Sequence, residues 1–159
     1  MNMNMNMNLN FDAEIAELYQ ELIVDHSQRP RNFRRLEHVT HHAEGFNPLC
    51  GDKLKVYLEL EKDIVREVSF DGEGCAISKA SASLMTESVK GKSRTEVERL
   101  FSRFRDVATG VNNTDSAGLG KLAAFSGLRG FPTRVKCATL AWHTLHAALD
   151  KATSIISTE

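Results

Sequence analysis

The 159-residue sequence has no excess of charge of either sign, no long apolar run and no leader-like start. Twenty basic and twenty-one acidic residues nearly cancel, so charge gives no indication of a nucleic-acid or membrane-surface partner. No apolar stretch approaches the roughly 20 residues that cross a bilayer. The N-terminus also lacks a basic segment followed by an apolar stretch and a small-residue cleavage site. We therefore expect a cytoplasmic protein that binds neither nucleic acid nor membrane.

Cysteine is scarce as well, since only Cys50, Cys75 and Cys137 occur. An odd number of cysteines in a chain expected to be cytoplasmic, where thiols stay reduced, argues against a disulfide framework. The other uses of cysteine are metal binding, thiol reactivity and plain burial in a core. The sequence around each cysteine has to distinguish among these three uses.

The length of the chain suits one domain with a single hydrophobic core. Residues 1–10, MNMNMNMNLN, alternate methionine and asparagine and are interpreted as a disordered low-complexity tail. We expect a single domain over residues 11–152 and a short C-terminal tail over residues 153–159. Apolar residues at helical spacing from Phe11 predict a first helix that ends near Asp25.

The segment that follows this helix, DHSQRPRNFRRL, is rich in arginine around Pro30. One interpretation is a solvated basic connection between two elements. The other is a docking surface for an acidic partner. The sequence favours neither interpretation over the other.

Alternation of apolar and polar residues predicts a sheet in the first half of the chain. Leu54 to Leu60 has the period-2 pattern of a strand with one wet face. Ile64 to Phe70 predicts a second strand after a polar turn, so the two form an antiparallel hairpin. A third strand is expected around Glu44 to Leu49.

The second half of the chain is predicted to be helical. One helix starts at Cys75 and closes on Gly91. Another runs from about Ser93 to Val107, with Thr95 and Glu98 at capping-box spacing. Together with the strands, this pattern predicts an α+β fold in which a small three-stranded antiparallel sheet packs against several helices. Two further helical segments are predicted: Leu119 to Phe125 and Arg134 to Leu149.

All three cysteines fall at the edges of predicted elements. Cys50 directly precedes a strand, while Cys75 and Cys137 lie at two helix starts. The unpaired N–H groups and partial positive charge of a helix start favour a thiolate over a thiol. Because thiolates bind metals and attack sulfur electrophiles, this placement favours chemistry over burial.

The stretch NPLCGDK places Asp52 one glycine beyond Cys50. Gly51 gives the backbone the freedom to turn both side chains toward one centre. Zinc prefers four ligands drawn from sulfur, nitrogen and carboxylate oxygen, so Asp52 is a candidate to complete a set of three thiolates. A carboxylate is a harder ligand than a thiolate, so such a site would open more easily than a four-cysteine site. The competing candidate ligands are histidines: His41, His42, His143 and His146, with His26 and His38 less favoured.

The residues around the cysteines, NPLCGD, GEGCAIS and RVKCATLAW, resemble in that order the U-type iron–sulfur cluster assembly proteins, the IscU/NifU-N family. The segment DHSQRPRNF is also similar to that family, and the likeness runs from about Leu18 to Leu149. In the scaffold branch a histidine precedes the third cysteine, whereas Lys136 holds that place here. Extra sequence around Arg103 to Leu119 lengthens the spacer before it. Both departures resemble the SufU branch.

The resemblance to the SufU branch implies a zinc ion held by Cys50, Asp52, Cys75 and Cys137. It further implies a sulfurtransferase-like acceptor that works with a pyridoxal-phosphate cysteine desulfurase, and not a stand-alone enzyme. A downstream iron–sulfur scaffold would then receive the sulfur. In this interpretation a histidine of the desulfurase takes the vacated zinc position and frees Cys50, which we expect to accept the persulfide.

Two basic residues, Arg134 and Lys136, lie just before Cys137. Four anionic ligands around a divalent cation leave a net charge near −2, so nearby cations affect how ligands are held and released. Arg134 would contact the desulfurase or steady Asp52, and Lys136 would lie near the metal. The alternative is that both are simply solvated.

Two other functions stay open at this point. Thiolates also bind iron, so the same cysteines suit a scaffold on which a transient 2Fe–2S cluster is built and passed on. A zinc site that only stabilises the fold is the other alternative.

Overall fold

A computed structural model describes residues 3–111, 118–150 and 156–157, with side chains described from residue 13 to 111 and from 118 to 150. None of the helices in this part of the chain combines the length and apolar character that a membrane crossing requires. The elements in chain order are α1 (Met3–Gln28), β1 (His41–Asn47), β2 (Asp52–Glu61), β3 (Ile64–Glu73), α2 (Ala76–Val89), α3 (Arg94–Thr109), a 3-10 helix (Gly120–Leu128), α4 (Pro132–Leu149) and β4 (Ile156–Ser157).

The predicted α+β fold is confirmed, and the sheet has the strand order β3-β2-β1-β4. β1, β2 and β3 form the predicted antiparallel part, in which Asn47 pairs with Asp52 at the end of the first hairpin. β4 differs from the prediction of a C-terminal tail, because Ile156 lies parallel to Gly45 of β1. The free edge of β1 offers unpaired N–H and C=O groups to such a segment. Residues 151–155 and 158–159 of the predicted tail lie outside the described residues.

The bounds of α1 also differ from the prediction of a disordered tail and a helix that starts at Phe11. The helix begins at Met3 and ends at Gln28. No glycine or proline interrupts this stretch, and methionine and leucine are good helix formers. Pro30 limits the helix at its other end, since the residue before a proline avoids helical geometry. The start of the domain at residue 11 stays a prediction.

Two helix starts in the second half correct the sequence interpretation in detail. The capping box of α3 is formed by Ser93 and Glu96, and not by Thr95 and Glu98, because the Ser93 hydroxyl accepts a bond from the Glu96 backbone N–H at 3.2 Å. α4 begins at Pro132, two residues earlier than predicted.

The arginine-rich connection after α1 is fastened to the fold. The backbone N–H of Arg31 donates to the Ser83 hydroxyl at 2.8 Å, and its guanidinium pairs with Asp25 at 2.7 Å. The backbone N–H of Arg34 donates to the Phe70 carbonyl of β3 at 2.9 Å. The connection is therefore more than a solvated link, although the Arg34 side chain is exposed.

α4 packs across the inner face of the sheet and fixes the position of Cys137. The inner-facing side chains of β2, Leu54, Val56 and Leu58, are fully buried beneath the helices. At Gly45 of β1, even a methyl group would overlap the Thr144 hydroxyl of α4. This close approach holds the second half of α4 against β1, and Asn47 at the end of β1 reaches Cys137 in the first half of α4 at 3.5 Å.

Candidate metal centre

The turn between β1 and β2 carries Cys50 and Asp52. The Asn47 carbonyl accepts bonds from the backbone N–H groups of Cys50 at 3.3 Å and of Gly51 at 2.8 Å. Gly51 has a φ of +73°, in the left-handed region that favours glycine. The turn leaves Cys50 exposed and directs Asp52 inward, where its exposed fraction is 1%. The backbone is therefore consistent with the predicted role of Gly51, which is to let the chain turn Cys50 and Asp52 toward one centre.

Cys75 is the N-cap residue of α2, as its predicted place at a helix start required. Its backbone is extended, with φ −68° and ψ 170°. The backbone N–H of Ser78 donates to the Cys75 sulfur at 3.5 Å. Cys75 is half-buried, and the first turn of α2 contacts its sulfur from one side.

Cys137 differs from the prediction that it lies in the first turn of its helix. It is the sixth residue of α4 and therefore belongs to the second turn. Its exposed fraction is 3%. The sulfur lies 3.2 Å from the sulfur of Cys50 and 3.5 Å from the Asn47 side-chain nitrogen, which donates to it.

Asp52 links the three cysteines. The backbone N–H of Cys75 donates to Asp52 Oδ1 at 2.8 Å, and the Cys75 sulfur lies 3.7 Å from Oδ2. One ligand atom from each of Cys50, Asp52 and Cys137 lies within 4.8 Å of the other two. The structure thus gathers these three donors closely, and Cys75 adjoins them through Asp52.

The electrostatics of this group favour a cation. Burial raises the pKa of the Cys137 thiol well above its usual range, and the hydrogen bond with Cys50 and the electrostatic interactions with Cys75 and Asp52 raise it further. A divalent cation reverses this balance, because a coordinated thiol loses its proton. Three sulfurs and one buried carboxylate fit zinc by their donor chemistry.

Histidine takes no part in this group among the described residues. His41 pairs with Leu58, six residues along β1 from Asn47, which corresponds to about 20 Å. The ring of His143 packs on Phe101 with a centroid distance of 5.0 Å. The other candidates lie elsewhere: His42 beside His41 in β1, His146 at 3.3 Å from Asp150, His26 at 2.7 Å from the Ser83 hydroxyl, and His38 exposed after α1.

The two basic candidates lie close to the site along α4. Arg134 is exposed, and its guanidinium lies 4.9 Å from the centroid of the Phe131 ring. Lys136 is half-buried and directly precedes Cys137. Their roles toward a partner or the metal stay predictions.

The family model described as the NifU-like N-terminal domain matches residues 18–157. The chain belongs to this family. This NifU-like chain is 39% identical over 141 residues to the zinc-dependent sulfurtransferase SufU of Bacillus subtilis strain 168, covering 89% of this chain and 95% of that protein. It is 35% identical over 140 residues to the iron–sulfur cluster assembly scaffold protein IscU of Streptococcus pyogenes serotype M1, covering 88% of this chain and 87% of that protein.

Solved structures agree with this membership. The SufU protein of Fervidobacterium islandicum AW-1, described as an assembly scaffold for the SUF system, has a TM-score of 0.76 and 34% identity to this NifU-like chain. The match covers 81% of this chain and 94% of that one. A NifU-like protein of Brucella abortus, with a TM-score of 0.77 and 18% identity, shares the fold. The resemblance read from the three cysteine contexts is confirmed.

Two buried residues of this NifU-like site were missed by the sequence analysis. Asn47 organises the Cys50 turn and contacts Cys137, and Ser78 touches Asp52. The asparagine before a proline in NPLCGD is a turn signal, and this signal could have identified Asn47. For Ser78, the sequence offers only its place one turn after Cys75.

Proposed function

We propose that this protein is a sulfur-transfer partner in iron–sulfur cluster assembly, which holds zinc and accepts persulfide sulfur from a pyridoxal-phosphate cysteine desulfurase. The observation that carries the proposal is that Cys50 is an exposed residue whose sulfur lies 3.2 Å from the sulfur of buried Cys137, in a group that includes Asp52. The Bacillus subtilis relative named a zinc-dependent sulfurtransferase supports it.

Four residues would hold the zinc ion: Cys50, Asp52, Cys75 and Cys137. When bound, zinc supplies the positive charge that keeps thiols deprotonated at neutral pH. The helices α2 and α4 fix Cys75 and Cys137 in place. Cys50 lies on an exposed turn beside Gly51, so it is the sulfur that can leave the group at least cost.

The transfer itself uses the Cys50 thiolate as the nucleophile. Its sulfur attacks the outer sulfur of the desulfurase persulfide and forms a new S–S bond. The S–S bond in the desulfurase breaks, and the desulfurase cysteine leaves as a thiolate. Cys50 then carries the persulfide, and no net oxidation or reduction takes place.

The surface next to Cys50 supports contact with a protein partner. Leu49, beside Cys50 in the chain, is 62% exposed. Phe46 and Phe131 are also exposed, and Arg134 stacks on Phe131. Exposed apolar side chains with an arginine are typical of protein interfaces. We assign this surface to the desulfurase and, after transfer, to a downstream iron–sulfur scaffold in the cytoplasm, where thiols stay reduced.

The proposal is tested on protein purified without oxygen and incubated with a desulfurase and free cysteine. We expect stoichiometric zinc by metal analysis and one added sulfur on Cys50 by mass spectrometry. The Cys50→Ala variant should lose both the label and the stimulation of the desulfurase. Label found only on Cys75 would overturn the mechanism. Full stimulation of the desulfurase by Cys50→Ala would favour the alternative of a zinc site that only stabilises the fold.

A second candidate function is a scaffold for a transient 2Fe–2S cluster. It is favoured by the scaffold relative of Streptococcus pyogenes, at 35% identity, and by the ability of the same thiolates to bind iron. Visible absorbance and metal analysis separate the two functions. A coloured protein with iron and labile sulfide would support the scaffold, and colourless protein with zinc would support sulfur transfer.

A further inference from the structure

Ser78 is fully buried in the first turn of α2 and touches three of the four candidate ligand residues. Its hydroxyl oxygen lies 2.6 Å from Asp52 Oδ2 and 3.6 Å from the Cys75 sulfur. The same oxygen lies 3.2 Å from the backbone carbonyl oxygen of Cys137. Neither composition nor spacing in the sequence singled out this residue.

The single proton of the hydroxyl has two acceptors within reach, and Asp52 is the better one. The bond to Asp52 is shorter than the distance to the Cys137 carbonyl, and hydrogen bonds to a charged acceptor are stronger than those to a neutral one. The other oxygen of Asp52 accepts the backbone N–H of Cys75 at 2.8 Å. Both carboxylate oxygens are therefore held by donors from the start of α2.

The packing around this carboxylate leaves it little room to move. A Cβ atom added at Gly74 would lie 3.1 Å from the Ser78 Cβ and 3.4 Å from Asp52 Oδ1. Asp52 is buried, whereas Cys50 on the same turn is exposed. The two neighbouring donors thus differ sharply in how firmly the protein holds them.

We propose that Ser78 is a positioning residue that fixes the orientation of the Asp52 carboxylate toward the metal. By holding Asp52 in place, Ser78 leaves Cys50 as the donor that departs when sulfur is transferred. The order of departure rests on the proposed function, but the orientation of Asp52 does not. A group that hydrogen-bonds a metal ligand typically contributes about 10- to 100-fold to metal affinity.

The test compares Ser78→Ala with Ser81→Ala, a matched control one turn further along α2. Ser81 is also fully buried and donates to a backbone carbonyl of α4, that of Ala138, at 2.5 Å. Zinc affinity is measured by competition with a chelator. We expect Ser78→Ala to bind zinc about 10- to 100-fold more weakly and Ser81→Ala to bind it like the unmodified protein. The absorption spectrum of the cobalt-substituted protein should shift in Ser78→Ala alone.

A double-mutant cycle shows whether Ser78 acts through Asp52. In an Asp52→Ala background, the Ser78→Ala change should cost no further zinc affinity, because the oriented group is gone. A merely structural serine would lower the affinity equally in both backgrounds. Thermal unfolding of the metal-free variants reports whether each one folds. The Ser78→Thr variant, which keeps the hydroxyl, should bind zinc more tightly than Ser78→Ala.

Unchanged zinc affinity and an unchanged cobalt spectrum in Ser78→Ala would overturn the proposal. An equal loss in Ser78→Thr and Ser78→Ala would also count against it. If the unmodified protein binds zinc but accepts no sulfur, the proposed function fails. The coupling between Ser78 and Asp52 is then still tested by the zinc affinities of the variants. The two failures are therefore distinguishable.

Discussion

The sulfur atoms of Cys50 and Cys137 lie 3.2 Å apart, although the residues are 87 positions apart in the chain. Cys50 is exposed on a turn, and Cys137 is buried in α4. The same chemical group thus occupies two different environments at one site. This difference suggests a division of roles in which Cys137 holds and Cys50 reacts.

The two cysteines should respond differently to serine substitution in the metal-free protein. Cys137→Ser places a hydroxyl in a buried position and should lower the free energy of unfolding by about 1–2 kcal/mol. Cys50→Ser, on the exposed turn, should change it little. Urea denaturation in the presence of a chelator measures both values. Equal losses would contradict the assigned burial of the two sulfurs.

Replacing Gly51 by alanine should strain the turn that carries Cys50 and Asp52. A Cβ atom at Gly51 meets no atom within 4 Å, so the cost comes from the φ of +73° alone and amounts to about 1 kcal/mol. Zinc affinity should fall together with stability, because relaxing the turn moves both Cys50 and Asp52. Gly127→Ala is the control, since a Cβ there also meets no atom within 4 Å. Thermal unfolding and chelator competition measure the two effects.

Stability should fall in mild acid because of His26, which is 1% exposed and bonded to the Ser83 hydroxyl. Burial lowers the pKa of His26 from 6.5, Arg31 lowers it further, and Glu87 and Asp25 partly oppose this. The unfolded chain therefore binds the proton first as the pH falls. The stabilisation by neutral His26 is fully present above about pH 6.5 and is lost progressively as the pH falls toward the folded-state pKa.

Denaturation of His26→Asn between pH 7.5 and pH 5 checks this dependence. The variant keeps a neutral hydrogen-bonding side chain and should show a flatter stability profile, whereas His38→Asn, at an exposed position, should match the unmodified protein. Burial also lowers the pKa of His143, so some pH dependence should persist in His26→Asn. An unaltered profile in His26→Asn would refute the assignment.

Arg134 should matter for sulfur acceptance but not for zinc content. It is exposed and lies over the Phe131 ring at 4.9 Å, so its removal should weaken the proposed contact with the desulfurase and leave the metal donors in place. We expect Arg134→Ala to reduce stimulation of the desulfurase about 3- to 10-fold, with full zinc by metal analysis. Arg99→Ala, on the exposed side of α3, is the control. Unchanged stimulation in Arg134→Ala would remove Arg134 from the interface.

Much of the fold followed from local sequence. The alternation of Leu54 to Leu60 gave the central strand, and the polar turn before Ile64 gave the hairpin. The small residues after Cys75 predicted a helix that starts there, and the structure shows that this cysteine is its N-cap. These features depend on periodicity and turn chemistry, which act over a few residues.

Other features depended on contacts that local patterns do not contain. The parallel pairing of Ile156 with Gly45 joins segments more than a hundred residues apart. The position of Cys137 in the second turn of α4 depended on where that helix begins, and helix ends are hard to place from sequence. The pKa of its thiol is raised mainly by burial, which depends on the packing of α4 in the fold.

The sequence by itself determined the candidate donors, because the residue types around Cys50, Cys75 and Cys137 carry the family signature and zinc-binding chemistry. Only the tertiary structure decided which donor is buried and which is exposed. Ser78 and Asn47 reach Asp52 and Cys137 from other elements, at 2.6 Å and 3.5 Å. Hydrogen bonding and burial between distant segments arise when α2, α4 and the β1–β2 hairpin pack together, so no stretch of sequence specifies them alone.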